Sequence, residues 1–165
     1  MTAYLEQLGN KGVVGALHGQ TLLHLGAAFP QGALLMLAHN LHRYDRSVKD
    51  GEWQKAREFC LHSYPIRQLS EMTLGIVGFG ALGQGVARIA ETFNMDILVA
   101  ARPGTDTVPE GRVPMSRLLE RCDAISLHCP LNDATRGLFG AAEFKAMKNS
   151  AFLINTARGG LVDSH

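Results

Sequence analysis

The sequence predicts an α/β fold: a doubly wound parallel sheet with helices on both faces, incomplete in its C-terminal half. Three observations carry this. Short apolar, partly β-branched runs at 74–78, 96–100, 124–128 and 151–155 read as buried strands. Helical or turn patterns separate each run from the next, and parallel strands need such crossovers. The first run leads into Gly78-x-Gly80-x-x-Gly83 and then an amphipathic helix, the setting expected of a dinucleotide-binding turn.

The elements follow in order. Residues 1–32 form an uncertain remnant or linker; within 15–32 lie scattered glycines, His18, His24 and Pro30 with no clean period. Residues 33–165 read as a partial nucleotide-binding domain. From Ala33 to Asp50, the residues Leu34, Leu37, Ala38, Leu41, Tyr44 and Val48 keep a helical period that Gly51 ends. An irregular stretch through Trp53, Cys60 and Pro65 precedes the first strand, where Ile76 and Val77 are β-branched. Leu82, Val86, Ile89, Ala90 and Phe93 then recur at helical spacing, and Asn94 tolerates the left-handed geometry that closes a helix. Asp96 to Ala100 is the second strand, followed by a loop from Arg102 to Gly111. A helix over Pro114 to Arg121 presents Met115, Leu118, Leu119 and Cys122 on one face, with Pro114 suited to its first position. The strand Ala124 to His128, closed by Pro130, a turn at Asn132 and Asp133, a helix near Ala141 to Met147 and the strand Ala151 to Asn155 complete the series. A complete two-lobed fold of this Rossmann type has about six strands. Four are legible here, so the half expected to hold the nicotinamide is only begun.

Composition narrows the functional classes. The 165 residues carry a net charge of +1 from 16 basic and 15 acidic side chains, which argues against nucleic acid or a membrane surface as partner. With 46% hydrophobic residues the chain can bury a moderate core. The N-terminus lacks the blocks of a signal peptide and no apolar run approaches a spanning length, so a cytoplasmic setting is expected. Cys60, Cys122 and Cys129 show no C-x-x-C pairing, which indicates reduced thiols and no metal site.

The glycines of the turn have distinct physical duties. One permits the sharp turn, one lets backbone approach a pyrophosphate, and one lets helix and strand pack closely. The phosphates then rest on the helix N-terminus, where unpaired N–H groups and the helix dipole favour negative charge. An acidic residue about 20 positions on normally binds the adenosine ribose. Here Ala100 and Ala101 take that place and Arg102 follows, able to pair with a 2′-phosphate. This favours NADP over NAD; a solvated loop arginine is the alternative for Arg102.

Two further segments, Ala124-Ile-Ser-Leu-His-Cys-Pro-Leu-Asn with Thr135 shortly after, and Leu153-Ile-Asn-Thr-Ala-Arg-Gly-Gly-Leu-Val-Asp163, together with the glycine turn, closely resemble the D-2-hydroxyacid dehydrogenase family that includes glycerate dehydrogenase and hydroxypyruvate reductase. The likeness runs from about Ala33 to Asp163, and Asn155-Thr-Ala-Arg-Gly159 is its most specific piece. It implies that Arg158 is the catalytic arginine, holding a substrate carboxylate and polarising the 2-oxo group. It further implies that Gly78, Gly80, Ala81, Leu82 and Gly83 carry the pyrophosphate, that Cys129 and Pro130 line the adenine pocket with Thr135 nearby, and that Thr156 and Ala157 lie beside the nicotinamide. The same resemblance places a homodimer contact on the 33–50 helix and the Trp53 segment, and exposed Leu34, Leu37 and Leu41 would need such a partner.

The implied activity is hydride transfer between a nicotinamide cofactor and a small 2-oxo or 2-hydroxy acid. The family's proton-donating histidine and its glutamate lie well beyond the Asn-Thr-Ala-Arg-Gly segment. The chain by itself is therefore expected to be inactive or to show trace turnover. A non-catalytic nucleotide-binding or dimerisation module of the same family is the alternative.

Overall fold

Among the described residues five parallel strands form one sheet, in which the first strand of the chain lies beside the fifth, followed by the fourth, the second and the third. The computed structural model describes Val13–Val14 and residues 23–105 and 107–163. The elements in chain order are β1 (Val13–Val14), α1 (Leu23–Ala38), α2 (Leu41–Lys49), α3 (Glu52–Lys55), β2 (Thr73–Val77), α4 (Ala81–Thr92), β3 (Asp96–Val99), α5 (Met115–Arg121), β4 (Ala124–Leu127), α6 (Ala141–Ala146) and β5 (Phe152–Asn155). Short 3₁₀ turns cover Leu69–Glu71 and Gly159–Leu161. From β2 the chain goes to β3 on one side and then to β4 on the other, so the winding reverses between β2 and β4.

Side chains alternate across the pleat and divide the interior in two. Leu74, Ile76, Ala124 and Ile154 face a core closed by Leu34 and Ala38 of α1 and by Val86 and Ala90 of α4. Val77, Ile125, Leu127 and Leu153 face a second core closed by Leu118 and Leu119 of α5 and Phe144 of α6. Each fully buried aliphatic side chain contributes about 1.5–3 kcal/mol, so both helical layers are needed to cover the sheet.

Several expectations are corrected. The single helix over 33–50 is two helices: α1 begins at Leu23, and the chain breaks at Asn40, which takes a left-handed φ of 52°. Asn40 there donates through Nδ2 to the Pro65 carbonyl at 2.7 Å, a tertiary contact that no periodicity reveals. Residues 23–32 are helical despite Pro30 because α1 packs closely on α4. A methyl group added at Gly85 would sit 2.9 Å from the Ala27 Cβ, and Gln31 donates to the Val86 carbonyl at 3.1 Å. His18 lies outside the described residues. Leu34 is 1% exposed in the sheet core and Leu37 is half-buried, so of the three leucines assigned to a partner only Leu41 is exposed. On α4, Leu82 and Phe93 are exposed at the two ends while Val86 and Ala90 carry the burial. Pro114 caps α5 from outside with an extended ψ of 153°, one position before the helix. A fifth strand, β1, pairs with β5 through Val13–Leu153 and Val14–Ile154.

The other boundaries hold to within a residue or two. Gly51 and Asn94 adopt positive φ at 76° and 56° and end their helices as the sequence predicts. At the foot of the sheet Asp123 accepts from the Thr73 N–H at 3.0 Å, from Arg67 Nη2 at 2.9 Å and from Lys148 Nζ at 3.1 Å. Burial acts to raise its pKa, but these hydrogen bonds and the two cations outweigh it and hold the carboxyl below its ordinary value. Arg67 Nη1 also donates to the Ser150 carbonyl, so one side chain ties the entry of β2 to the entries of β4 and β5.

Candidate functional site

The site lies at the C-terminal ends of the strands, where the winding reverses between β2 and β4. In open parallel sheets such a switch point leaves a crevice, because successive connections leave toward opposite faces. Gly78 follows β2 directly at φ 93°, and a Cβ there would strike the Cys129 nitrogen and the His128 carbonyl carbon. Gly83, in the first turn of α4, has no room for a Cβ because the Gly78 carbonyl oxygen occupies that place. Gly80 differs: nothing lies within 4 Å of the position its Cβ would take. Two glycines are thus demanded by the protein's own packing, and the third leaves open space at the mouth of a helix.

That helix N-terminus carries no side-chain cap at Gly80, and the first intrahelical bond there runs from the Gln84 N–H to the Gly80 carbonyl at 2.9 Å. The N–H groups of Ala81, Leu82 and Gly83 precede it and have no intrahelical acceptor, as a bound anion requires. Such a cradle fits a dinucleotide pyrophosphate.

Arg102 lies just beyond β3, exposed, with its carbonyl closing a turn with Thr105. Among the described residues its guanidinium has no ion-pair partner. Arg112, which sequence reasoning missed, is brought beside the cradle because the Ala101 N–H donates to the Val113 carbonyl; its guanidinium stacks 4.7 Å from the centroid of Phe79, inside the glycine turn. No local pattern marks it, since the pairing that delivers it is tertiary.

After β4, Cys129 is buried and Pro130 exposed. Burial raises the Cys129 thiol pKa, so the group stays protonated and presents a neutral wall. Thr135 is buried, and its hydroxyl is spent inside the loop, accepting from the Asn132 N–H at 2.8 Å and contacting the Pro130 carbonyl at 2.7 Å. It shapes the segment that Cys129 and Pro130 begin. Burial pushes His128 down to about 4, and its Nε2 pairs with the Ser126 hydroxyl at 2.8 Å, so this imidazole is neutral near pH 7.

After β5, Asn155 is 3% exposed and organises the loop: its Oδ1 accepts from the Ala157 N–H at 3.1 Å and its Nδ2 donates to the Arg158 carbonyl at 2.8 Å. Thr156 and Ala157 are half-buried, while Arg158 is exposed with Nη1 on the Ala157 carbonyl at 3.0 Å. The loop is braced from below, where the Gly137 N–H donates to the Gly160 carbonyl and the Phe139 N–H to the Leu161 carbonyl. Asn155 was legible only as a letter of the motif; its duty appears when both its hydrogen bonds are seen.

Reversal at β2/β4, an open glycine cradle and flanking arginines define a dinucleotide-binding α/β domain. Residues 31–165 match the family model described as D-isomer specific 2-hydroxyacid dehydrogenase, NAD binding domain, and the chain belongs to that family. It is 43% identical over 133 residues to a glycerate dehydrogenase of Methylorubrum extorquens, covering 80% of this chain and 41% of that protein. A solved structure from Thermus thermophilus superposes with a TM-score of 0.76 at 34% identity, covering 87% of this chain and 45% of that one. D-lactate dehydrogenase from Aquifex aeolicus, solved with NAD and lactic acid, gives 0.72 at 29% identity, covering 86% and 42%. The chain thus spans about two-fifths of the length of the curated relative.

Substitutions separate the duties of the glycines. Gly78→Ala and Gly83→Ala should each cost about 2–3 kcal/mol or more in urea unfolding, from backbone strain and overpacking. Gly80→Ala should leave the unfolding midpoint unchanged while weakening NADH binding, read by nicotinamide fluorescence, by about tenfold or more, the scale of one unaccommodated methyl group. Unchanged NADH affinity in Gly80→Ala would remove the cradle assignment.

The largely desolvated imidazole of half-buried His128 sets a pH dependence. Between the ordinary value of 6.5 and about 4, the unfolded chain holds a proton on His128 that the folded chain rejects. Stability is therefore intact above pH 6.5 and declines as pH falls toward 4, by roughly 3 kcal/mol from this group. His128→Gln should flatten that part of the slope when denaturation midpoints at pH 7 and pH 5 are compared with the parent; an unaltered slope would show that His128 does not cause it.

Proposed function

We propose that this chain is the nucleotide-binding and carboxylate-anchoring part of an NADP(H)-preferring D-2-hydroxyacid dehydrogenase. The observation that carries the reading is topological: the glycine cradle after β2, Arg102 after β3, Cys129 and Pro130 after β4 and Arg158 after β5 all stand at one edge of one parallel sheet. The cofactor, when bound, supplies or accepts a hydride at its nicotinamide ring.

The chain's own residues do the rest of the work assigned here. Amides of Ala81, Leu82 and Gly83 receive the pyrophosphate, and Gly78 and Gly80 let it approach. Neutral Cys129, with Pro130, walls the adenine, and Thr135 holds that wall in shape. Arg102 pairs with the 2′-phosphate, with Arg112 adding charge beside Phe79. Thr156 and Ala157 border the nicotinamide, and Arg158 grips the substrate carboxylate with its planar fork while stabilising charge on the 2-oxo oxygen. Proton transfer to that oxygen falls to a group other than His128, which is neutral and already paired with Ser126. The substrate class is a small 2-oxo or 2-hydroxy acid. The setting we infer is cytoplasmic, which suits the unpaired thiols of Cys60, Cys122 and Cys129.

Titration with NADPH and NADH tests the cofactor reading. The parent should bind NADPH more tightly, and Arg102→Ala should lower NADPH affinity about tenfold or more with little effect on NADH. Equal affinity of the parent for both would overturn the NADP preference. Reduction of hydroxypyruvate by the 165-residue chain should be at most a trace and should vanish in Arg158→Ala; brisk turnover that survives this substitution would sink the role of Arg158.

We further propose a homodimer. Val48, Trp53 and Ile66 are exposed beside Tyr44, Cys60 and Leu61 around an apolar groove of about 290 Å³, on the segment to which the family resemblance assigns the dimer contact. A second copy is the occupant we assign. Sedimentation should find a dimer, and the pair Trp53→Glu with Ile66→Glu should give a folded monomer. A parent that stays monomeric at all concentrations would exclude it.

A further inference from the structure

The strap between α3 and β2 carries chemistry that cofactor binding does not use. Its sequence reads Glu58-Phe-Cys60-Leu-His62, with three metal-ligating types at alternate positions. The strap bends over 57–60, and Cys60 lines the apolar groove beside Leu61. The carboxylate, thiol and imidazole donor atoms all lie within 4.8 Å of one another, and all three residues are exposed. Cys60 Sγ and His62 Nε2 are already in contact at 2.8 Å.

The strap is anchored chiefly on the C-terminal side of this group. Phe59 meets Trp53 edge-on with ring centroids 6.1 Å apart but is itself exposed. Leu61 lines the groove with Tyr44, Val48 and Ile66. Beyond His62, the Tyr64 carbonyl accepts from the Tyr44 hydroxyl at 2.6 Å, and the Arg43 guanidinium stacks 3.9 Å from the Tyr64 ring centroid. Donors on a strap so anchored lose less freedom on meeting a metal than donors on a free loop.

We propose that Glu58, Cys60 and His62 form a binding site for a borderline-soft divalent cation, with zinc the best match. Sulfur, nitrogen and a single carboxylate select against magnesium and calcium, which demand oxygen shells. Three protein ligands and one water complete a tetrahedron around zinc. Zinc at ordinary bond lengths holds a sulfur and a nitrogen ligand about 3.5 Å apart, so the present 2.8 Å contact opens by less than 1 Å, a small torsion for exposed side chains. Binding forms a metal–sulfur bond and releases the Cys60 thiol proton to solvent, with no change of oxidation state. The arrangement clips the strap and stands apart from the cradle, since the strap enters the sheet at its foot.

The test uses the reduced chain with zinc and cobalt as probes. Calorimetric titration should find one zinc per chain, and cobalt should give the thiolate charge-transfer absorption of a sulfur ligand. Cys60→Ser and His62→Ala should each weaken zinc binding by at least the ~10–100-fold that loss of an outer-shell partner costs, and Cys60→Ser should abolish the cobalt band. Circular dichroism should be unchanged, because all three side chains are exposed. No cobalt band in the parent, a band that persists in Cys60→Ser, or equal zinc affinity across the variants would each overturn the proposal.

Discussion

The approach of two backbones where Gly78 passes β4 governs the cofactor edge. A side chain at Gly78 would meet main-chain atoms of His128 and Cys129, and one at Gly83 would meet the Gly78 carbonyl. Backbone cannot yield as a flexible side chain can, so these positions lock the turn after β2, the start of α4 and the end of β4 into one rigid unit. The orientation of α4, and with it the direction of its unpaired N–H groups, follows from that unit. So do the burial of Cys129 and the partial burial of His128, which sit directly behind the turn.

Electrostatics at the two edges of the sheet are organised differently. At the foot, Asp123 is matched by Arg67, Lys148 and a backbone N–H, so charge there is spent inside the protein and serves cohesion. At the mouth, the charges are arginines on the rim, exposed at Arg102 and Arg158, while the interior wall is neutral because burial keeps Cys129 protonated and His128 deprotonated. An anionic ligand entering there meets donors and, among the described residues at the C-terminal end of β3, no competing carboxylate, since Asp96 lies at the opposite end of that strand. Interactions of this kind strengthen as the ligand excludes water.

Much of this architecture was legible in the sequence, for physical reasons that also explain what was not. Strands β2, β4 and β5 are largely buried runs whose composition leaves little alternative, β3 is only half-buried because it forms the sheet edge, and Gly51 and Asn94 mark helix ends through a backbone geometry few residues accept. The helical break at Asn40 was invisible because its cause is a hydrogen bond to Pro65, far along the chain. The helix before Ala33 was hidden by Pro30 and its glycines, which penalise an isolated helix, yet close contact with α4 overrides that penalty. Leu34 looked like an orphan of the surface because its partner, the sheet, is assembled from residues 40 and more positions later. At the site, residues required by local geometry were readable, whereas Arg112 and the bracing of Asn155 depend on pairings between distant segments.

The placement of three thiols gives the molecule an internal gauge of its own opening. Cys60 stands exposed on the strap, Cys129 is buried behind the glycine turn, and Cys122, pushed up to about 12 chiefly by burial, lies between α5 and the sheet. An alkylating reagent therefore meets them in a graded order. In the zinc-free monomer Cys60 reports the folded surface, Cys129 reports loosening of the cradle, and Cys122 reports loss of the core. Modification of Cys129 ahead of Cys122 would reveal partial opening confined to the cofactor edge, and simultaneous modification would reveal a sheet that opens as one cooperative body.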